Sequence, residues 1–88
     1  MNKLTGVTKS GFAYSIPEKN LNNYELIEVL GDLESNPLLL PRVLKLLLGK
    51  EATEKLKDHV RDEDGIVSSD KISEELQDIF QAQARLKN

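Results

Sequence analysis

Asn36-Pro37-Leu38-Leu39-Leu40-Pro41-Arg42-Val43-Leu44-Lys45-Leu46-Leu47-Leu48-Gly49 is the stretch on which the fold turns. Its prolines constrain where a helix can start. A helix capped by Asn36 would carry Pro41 at its fifth position, where the ring removes the hydrogen bond to the Pro37 carbonyl. A helix that begins at Pro41 loses nothing. The spacing therefore predicts a turn over residues 37–40 and a helix over residues 41–48, ended by Gly49 in a left-handed conformation. At 100° per residue, Val43, Leu44, Leu46, Leu47 and Leu48 cover roughly 140° to 340° around that helix, where a surface helix shows a stripe of somewhat more than about 100°. Only the wedge with Arg42, Lys45 and Gly49 is polar. Two arrangements account for so wide an arc. The helix is central, packed on both sides by other elements, or part of the arc joins Leu38, Leu39 and Leu40 in a patch for a partner. Leu38, Leu39, Leu40, Leu46 and Leu47 are the candidate partner-binding residues, with the last helix as a second surface.

Toward the N-terminus, two short apolar runs, Leu4 to Thr8 and Phe12 to Ile16, flank Lys9-Ser10-Gly11. A three-residue connection with glycine last suits a bulged hairpin turn, so a β-hairpin is predicted over residues 4–16. Phe12, Tyr14 and Ile16 alternate with Ala13 and Ser15, which puts three large side chains on one face that helices must cover. A helix over residues 24–33 follows, capped by Asn22 or Asn23, with Glu25 near its positive end. Leu26, Ile27, Val29, Leu30 and Leu33 share one side of it; Glu25, Glu28 and Asp32 form an acidic stripe on the other.

Beyond Gly49, residues 51–61 read as a weakly amphipathic helix with Ala52, Leu56 and Val60 at i, i+4 and i+8 and a Glu51–Lys55 pair in the favourable order. Asp62-Glu63-Asp64-Gly65 is turn chemistry and Ile66-Val67 a short extended piece. A last helix over residues 70–86 is capped by Ser68, Ser69 or Asp70, with Ile72, Leu76, Ile79 and Phe80 on one arc. The fold class is thus α+β, mainly α: an N-terminal hairpin and four short helices in a single domain over residues 1–88.

Composition limits what such a domain can do. Its 88 residues carry 12 Lys plus Arg against 15 Asp plus Glu, a net charge of −3, which argues against a scaffold built on phosphate contacts. With no cysteine and one histidine, disulfides, thiol chemistry and Cys- or His-rich metal sites are excluded. No secretory signal is visible, and the apolar run from Leu38 to Leu48 is too short and too interrupted to cross a bilayer. Fifteen leucines, eight of them between Leu33 and Leu48, must supply most of the core.

Local constellations point away from catalysis. Aligning Gly65 with the sixth position of a calcium loop puts Val60 at the first and Lys71 at the twelfth, so both charged anchors are missing and a solvated acidic turn is expected. His59 has no Ser or Cys within local reach and falls beside Ala52, as a packed or half-exposed imidazole. Glu74 and Glu75, like the acidic stripe of the first helix, read as solubilising charges on an exposed face. The Gly49 turn imitates a helix-turn-helix, but its second helix mixes Glu51, Glu54 and Asp58 with its lysines, which disfavours nucleic acid. No catalytic residue, cofactor or metal is expected.

The order Ser10-Gly11-Phe12, Leu21-Asn22-Asn23-Tyr24-Glu25-Leu26, Asn36-Pro37-Leu38, Val43-Leu44-Lys45-Leu46-Leu47-Leu48-Gly49, Asp58 to Val67 and Ile79-Phe80 resembles small proteins of the tail-morphogenesis regions of long-tailed phages and prophages of Gram-positive bacteria, which look like tail assembly chaperones. The resemblance implies a non-enzymatic protein of the host cytoplasm. It would bind the tape measure protein, assist tail tube subunits in polymerising around it, and have no catalytic residues. A homo-oligomer is compatible with it. Such chaperones are often made in two lengths by frameshifting, and Leu86-Lys87-Asn88 fits a slippery A AAA AAC in the gene. The alternatives are a small phage-encoded DNA-binding regulator and a structural tail or head-tail component.

Overall fold

A computed structural model describes residues 2–86; Lys87 and Asn88, on which the frameshift expectation rests, lie outside the described residues. The fold is α+β and mainly α. Strands β1 (Lys3–Val7) and β2 (Ala13–Pro17) form an antiparallel hairpin. Helices α1 (Glu18–Leu21), α2 (Tyr24–Leu33), α3 (Leu40–Val60) and α4 (Ser69–Leu86) follow, with a 3-10 turn over Pro37–Leu39 before α3. The expected four helices are present in a different division: residues 41–48 and 51–61 belong to one broken helix, α3, and α1 is additional.

The hairpin turn is built as its residues demand. Thr8 and Phe12 close it through the Thr8 N–H to the Phe12 carbonyl (2.9 Å), and Gly11 takes φ 96°. Phe12, Tyr14 and Ile16 are buried while Ala13 and Ser15 are exposed, so the alternation holds along β2. Gly6 pairs with Tyr14 across the ladder. A Cβ at Gly6 would lie 2.5 Å from the Tyr14 hydroxyl and 2.8 Å from the ring carbon that carries it. That hydroxyl also accepts from the Gln83 side chain at 3.0 Å, so it is not free to retreat. Gly6→Ala is expected to destabilise the fold by about 1–3 kcal/mol through overpacking, read as a lower midpoint in urea.

Pro17 leads directly into α1, a single helical turn too short to leave a periodic pattern in the sequence. The cap of α2 is Asn23, whose side chain accepts from the Glu25 N–H at 3.0 Å. α3 has two arms, residues 40–48 and 50–60, separated at Gly49 with φ 85° and ψ 169°. Gly49 thus ends the first arm, as its position suggested, but the chain resumes helix at once. Two polar side chains bind carbonyls around the break. The Asn20 amide donates to the Leu47 carbonyl (2.8 Å), and the buried Thr53 hydroxyl lies 2.6 Å from the Gly49 carbonyl and 3.2 Å from that of Leu44.

The 40–48 arm is the centre of the molecule: α3 touches β2, α1, α2 and α4. Ile16, Leu26, Val43, Leu47, Leu56 and Ile79 are the most deeply buried side chains around it. The 50–60 arm contributes Thr53, Leu56 and Val60 to the interior, and its exposed ion pairs are Lys57–Glu54 and Arg61–Asp58, each 3.2 Å, rather than the Glu51–Lys55 pair suggested by spacing. The Ser68 hydroxyl caps α4 by accepting from the Lys71 N–H at 3.3 Å. Among the described residues, no helix is long and apolar enough to cross a membrane.

Candidate functional site

The five candidate leucines do not share one environment. Leu38, in the 3-10 turn, is 87% exposed, the most exposed large apolar side chain of the described residues. Leu39, Leu40 and Leu46 are half-buried and pack against the core. Leu47 is 0% exposed and offers nothing to a partner in this fold. It sits one helical turn beyond Val43 on the side of the arm that faces the interior, so the wide arc is mostly packing surface, in keeping with the central-helix arrangement. The structure therefore removes Leu47 from the candidate surface and leaves Leu38, Leu39, Leu40 and Leu46.

Leu40 lies in a larger feature. Between α2 and α4, both of which pack on α3, runs an open groove of about 330 Å³. Leu30 and Leu33 from α2, Leu40 from α3, and Leu76 and Phe80 from α4 give it its apolar character, and Ser73, Gln77 and Gln81 edge it. Among the described residues, none that lines it is charged. Ile27, 56% exposed, is three residues before Leu30 on α2, next to Leu30 on the helix surface, and continues the apolar strip beyond the groove. Sequence periodicity places Ile27, Leu30, Leu33, Leu76 and Phe80 on the apolar faces of their helices, whereas Leu40 is read as the end of a turn. That α2 and α4 stand apart enough to leave their facing edges open is a tertiary property, and no local pattern encodes it.

A second cluster joins the hairpin turn to the helices. Glu75, 6% exposed, accepts from the Thr8 hydroxyl at 2.7 Å and from the Ser10 hydroxyl at 2.7 Å. Ser10 Oγ lies 3.0 Å from Nε2 of His59, whose ring is tilted 48° against Phe12 at 5.5 Å between centroids. The backbone N–H of Lys9 donates to Asp78 at 2.6 Å. Glu75 is thus not one of a pair of solvated charges with Glu74; the turn's hydroxyls cover it and satisfy both oxygens. Ser10 is 49 positions from His59 and 65 from Glu75, which is why no spacing in the sequence reports the cluster.

The proton arrangement decides what this cluster does chemically. The Ser10 hydroxyl donates to Glu75, which leaves its oxygen to accept from His59 in the tautomer that carries the proton on Nε2. A serine nucleophile needs the opposite polarity, with the imidazole accepting and a carboxylate behind the imidazole. Here the carboxylate is behind the serine. The Gly11 N–H is taken by the Thr8 carbonyl and the Lys9 N–H by Asp78, so neither is free to stabilise an oxyanion. The cluster is a clamp that holds the hairpin turn on α3 and α4.

The acidic turn after α3 is also closed on itself. Asp62 Oδ1 accepts from the backbone N–H of Asp64 (2.8 Å) and of Ile66 (2.9 Å), and the Arg61 guanidinium donates to the Gly65 carbonyl (3.0 Å). Gly65 takes φ 83° to complete it. Among the described residues, no group of three or more His, Cys, Asp or Glu is placed to hold a metal ion. Glu25, Glu28 and Asp32 are exposed, as a stripe on α2.

Comparison with known proteins finds no match: no family model matches the chain, and neither a curated protein nor a solved structure does.

Proposed function

We propose that this chain is a non-catalytic protein-binding module that serves as a tail assembly chaperone of the phage type it resembles. It binds the tape measure protein in the cytoplasm of the bacterial host, keeps that protein from aggregating, and delivers it to tail tube subunits. The observation that carries this reading is the open apolar groove between α2 and α4, with Leu38 almost fully exposed in the turn that leads into its floor. An open groove lined by apolar side chains of three helices suits the apolar face of a helical partner. A long client with an amphipathic helical stripe needs a shield of this kind, and a net charge of −3 helps keep the complex in solution.

Co-expression with a tape measure protein of a long-tailed phage tests the reading. The tape measure protein is expected in the soluble fraction, co-purifying with this chain, and the chain is expected to be absent from finished virions by mass spectrometry. A tape measure protein that remains insoluble and unbound overturns the proposal. Recovery of the chain from purified virions would favour a structural tail component, and salt-sensitive binding to duplex DNA would favour a regulator.

A further inference from the structure

We infer that this chain pairs with a second copy of itself through the outer edge of β1, joining two hairpins into one four-stranded antiparallel sheet. The hairpin register fixes which backbone groups face outward. Lys3 pairs with Pro17, Leu4 with Ile16, Thr5 with Ser15, Gly6 with Tyr14 and Val7 with Ala13. At the turn the Thr8 N–H donates to the Phe12 carbonyl (2.9 Å), and at the open end the Glu18 N–H donates to the Asn2 carbonyl (3.0 Å). Hydrogen-bonded and non-hydrogen-bonded pairs alternate along an antiparallel ladder. Leu4 and Gly6, in step with Asn2 and Thr8, therefore turn their N–H and C=O groups toward β2, whereas Lys3, Thr5 and Val7 turn theirs away. Among the described residues, no backbone hydrogen bond from outside the hairpin reaches those three, and all three are exposed. The edge of β2 is less open. Pro17 at its end has no N–H, and the chain passes there directly into α1.

An unpaired edge is satisfied by another strand, and β1 is complementary to itself. About a two-fold axis through Thr5, Thr5 lies opposite Thr5 of the second copy and Lys3 opposite its Val7. All six outward backbone groups then find a partner within the two strands. A register centred on Lys3 sets lysine opposite lysine. One centred on Gly6 sets Lys3 opposite Lys9, whose N–H is already held by Asp78. The Thr5 register avoids both clashes and places a threonine pair, which is favourable across strands, at its centre. On the inner face, the half-buried Leu4 comes opposite Gly6 of the second copy, which has no side chain to crowd it and is crossed by the Tyr14 ring. Each copy uses up its own β1 edge, so the assembly closes as a dimer rather than growing into a fibre.

Sedimentation equilibrium of the full chain, loaded up to roughly 0.5 mM because an interface of this size is small, reads the assembly. A monomer–dimer equilibrium is expected, in which dilution shifts the amides of residues 3–7 and the Lys3, Thr5 and Val7 N–H groups exchange slowly only in the dimer. Thr5→Pro removes an outward N–H and no bond to β2, so it is expected to keep the fold and weaken dimerisation by more than about tenfold. Val7→Lys, at a side chain 67% exposed, places lysine opposite Lys3 and is expected to weaken it by about threefold or more at low salt. Adding Lys3→Glu to Val7→Lys restores opposite charges across the axis and is expected to return dimerisation to within about twofold of the wild type. Should Thr5→Pro fail to fold, this charge pair carries the test. A monomer throughout the range, a dimer indifferent to both single variants, or a double variant no stronger than Val7→Lys alone overturns the inference. So does a dimer whose dilution shifts fall on α2 and α4, because that result assigns the contact to the groove.

Discussion

Leu47→Ala is expected to lower the unfolding free energy by about 2–5 kcal/mol, while Leu38→Ala, earlier in the same leucine-rich stretch, changes it by less than about 0.5 kcal/mol. Leu47 is fully buried within the cluster that includes Ile16, Leu26, Val43, Leu56 and Ile79, so truncation removes apolar contact and leaves a void that a close-packed interior cannot fully close. Leu38 is 87% exposed and loses little that water does not already touch. The difference is large for a chain of this size, because a domain of 88 residues has a total stability of about 4–13 kcal/mol. Urea denaturation followed by circular dichroism reads both variants. A loss below about 1 kcal/mol for Leu47→Ala would mean that the arm is not the packed centre described above. Partner binding supplies the second readout: Leu38→Ala is expected to weaken it at unchanged stability.

These two leucines also mark where the sequence stops being legible. The hairpin could be read because alternation in Phe12-Ala13-Tyr14-Ser15-Ile16 and a glycine at the end of Lys9-Ser10-Gly11 are local signals, and both appear in the structure in the expected register. The helix from Tyr24 to Leu33 was legible for the same reason, with its cap narrowed to Asn22 or Asn23, of which the structure uses Asn23. Leu38 and Leu47 carry no such distinction. The first arm of a helix that touches β2, α1, α2 and α4 is apolar over most of its circumference, and a periodicity argument cannot assign each leucine to a neighbour it does not see. The clamp of Thr8, Ser10, His59 and Glu75 was hidden more completely, since it forms only when the hairpin turn is laid across α3 and α4. Glu75 has the same local setting as Glu74 and differs from it only in what the fold places above it. The groove was half legible: Leu30, Leu33, Leu76 and Phe80 were recognisable on apolar helix faces, while the place of Leu40 in a helix beside them and their shared opening were not.

Gly49→Ala is expected to be the most disruptive change available at a position where a side chain meets no obstacle. A Cβ built there has no heavy atom within 4 Å, so steric crowding is not the cause. The cause is the backbone. φ 85° with ψ 169° lies outside the left-handed helical basin, in a region that is essentially glycine's alone, and holding another residue there costs about 1–3 kcal/mol. Asparagine, which tolerates the left-handed basin, is expected to be no rescue, because that basin has ψ near about 30–60°. Alanine has a second option, which is to continue the helix. A straight α3 from Leu40 to Val60 would be about 31 Å long and would carry the 50–60 arm away from the core. Thr53 would then keep the Gly49 carbonyl, four residues back in the helix, but lose that of Leu44, Leu56 and Val60 would be drawn into water, and His59 would leave Ser10. Both routes lose stability, but they differ in spectrum: the strained kink leaves helical circular dichroism unchanged, and the straightened helix raises it while the amide signals of Ser10 and Thr53 move. A Gly49→Ala variant that gains helicity at unchanged stability would show that the kink is dispensable. The contacts of Thr53 with the Leu44 carbonyl and of His59 with Ser10 argue against that result, since both join the 50–60 arm to groups that it reaches only while α3 stays bent at Gly49.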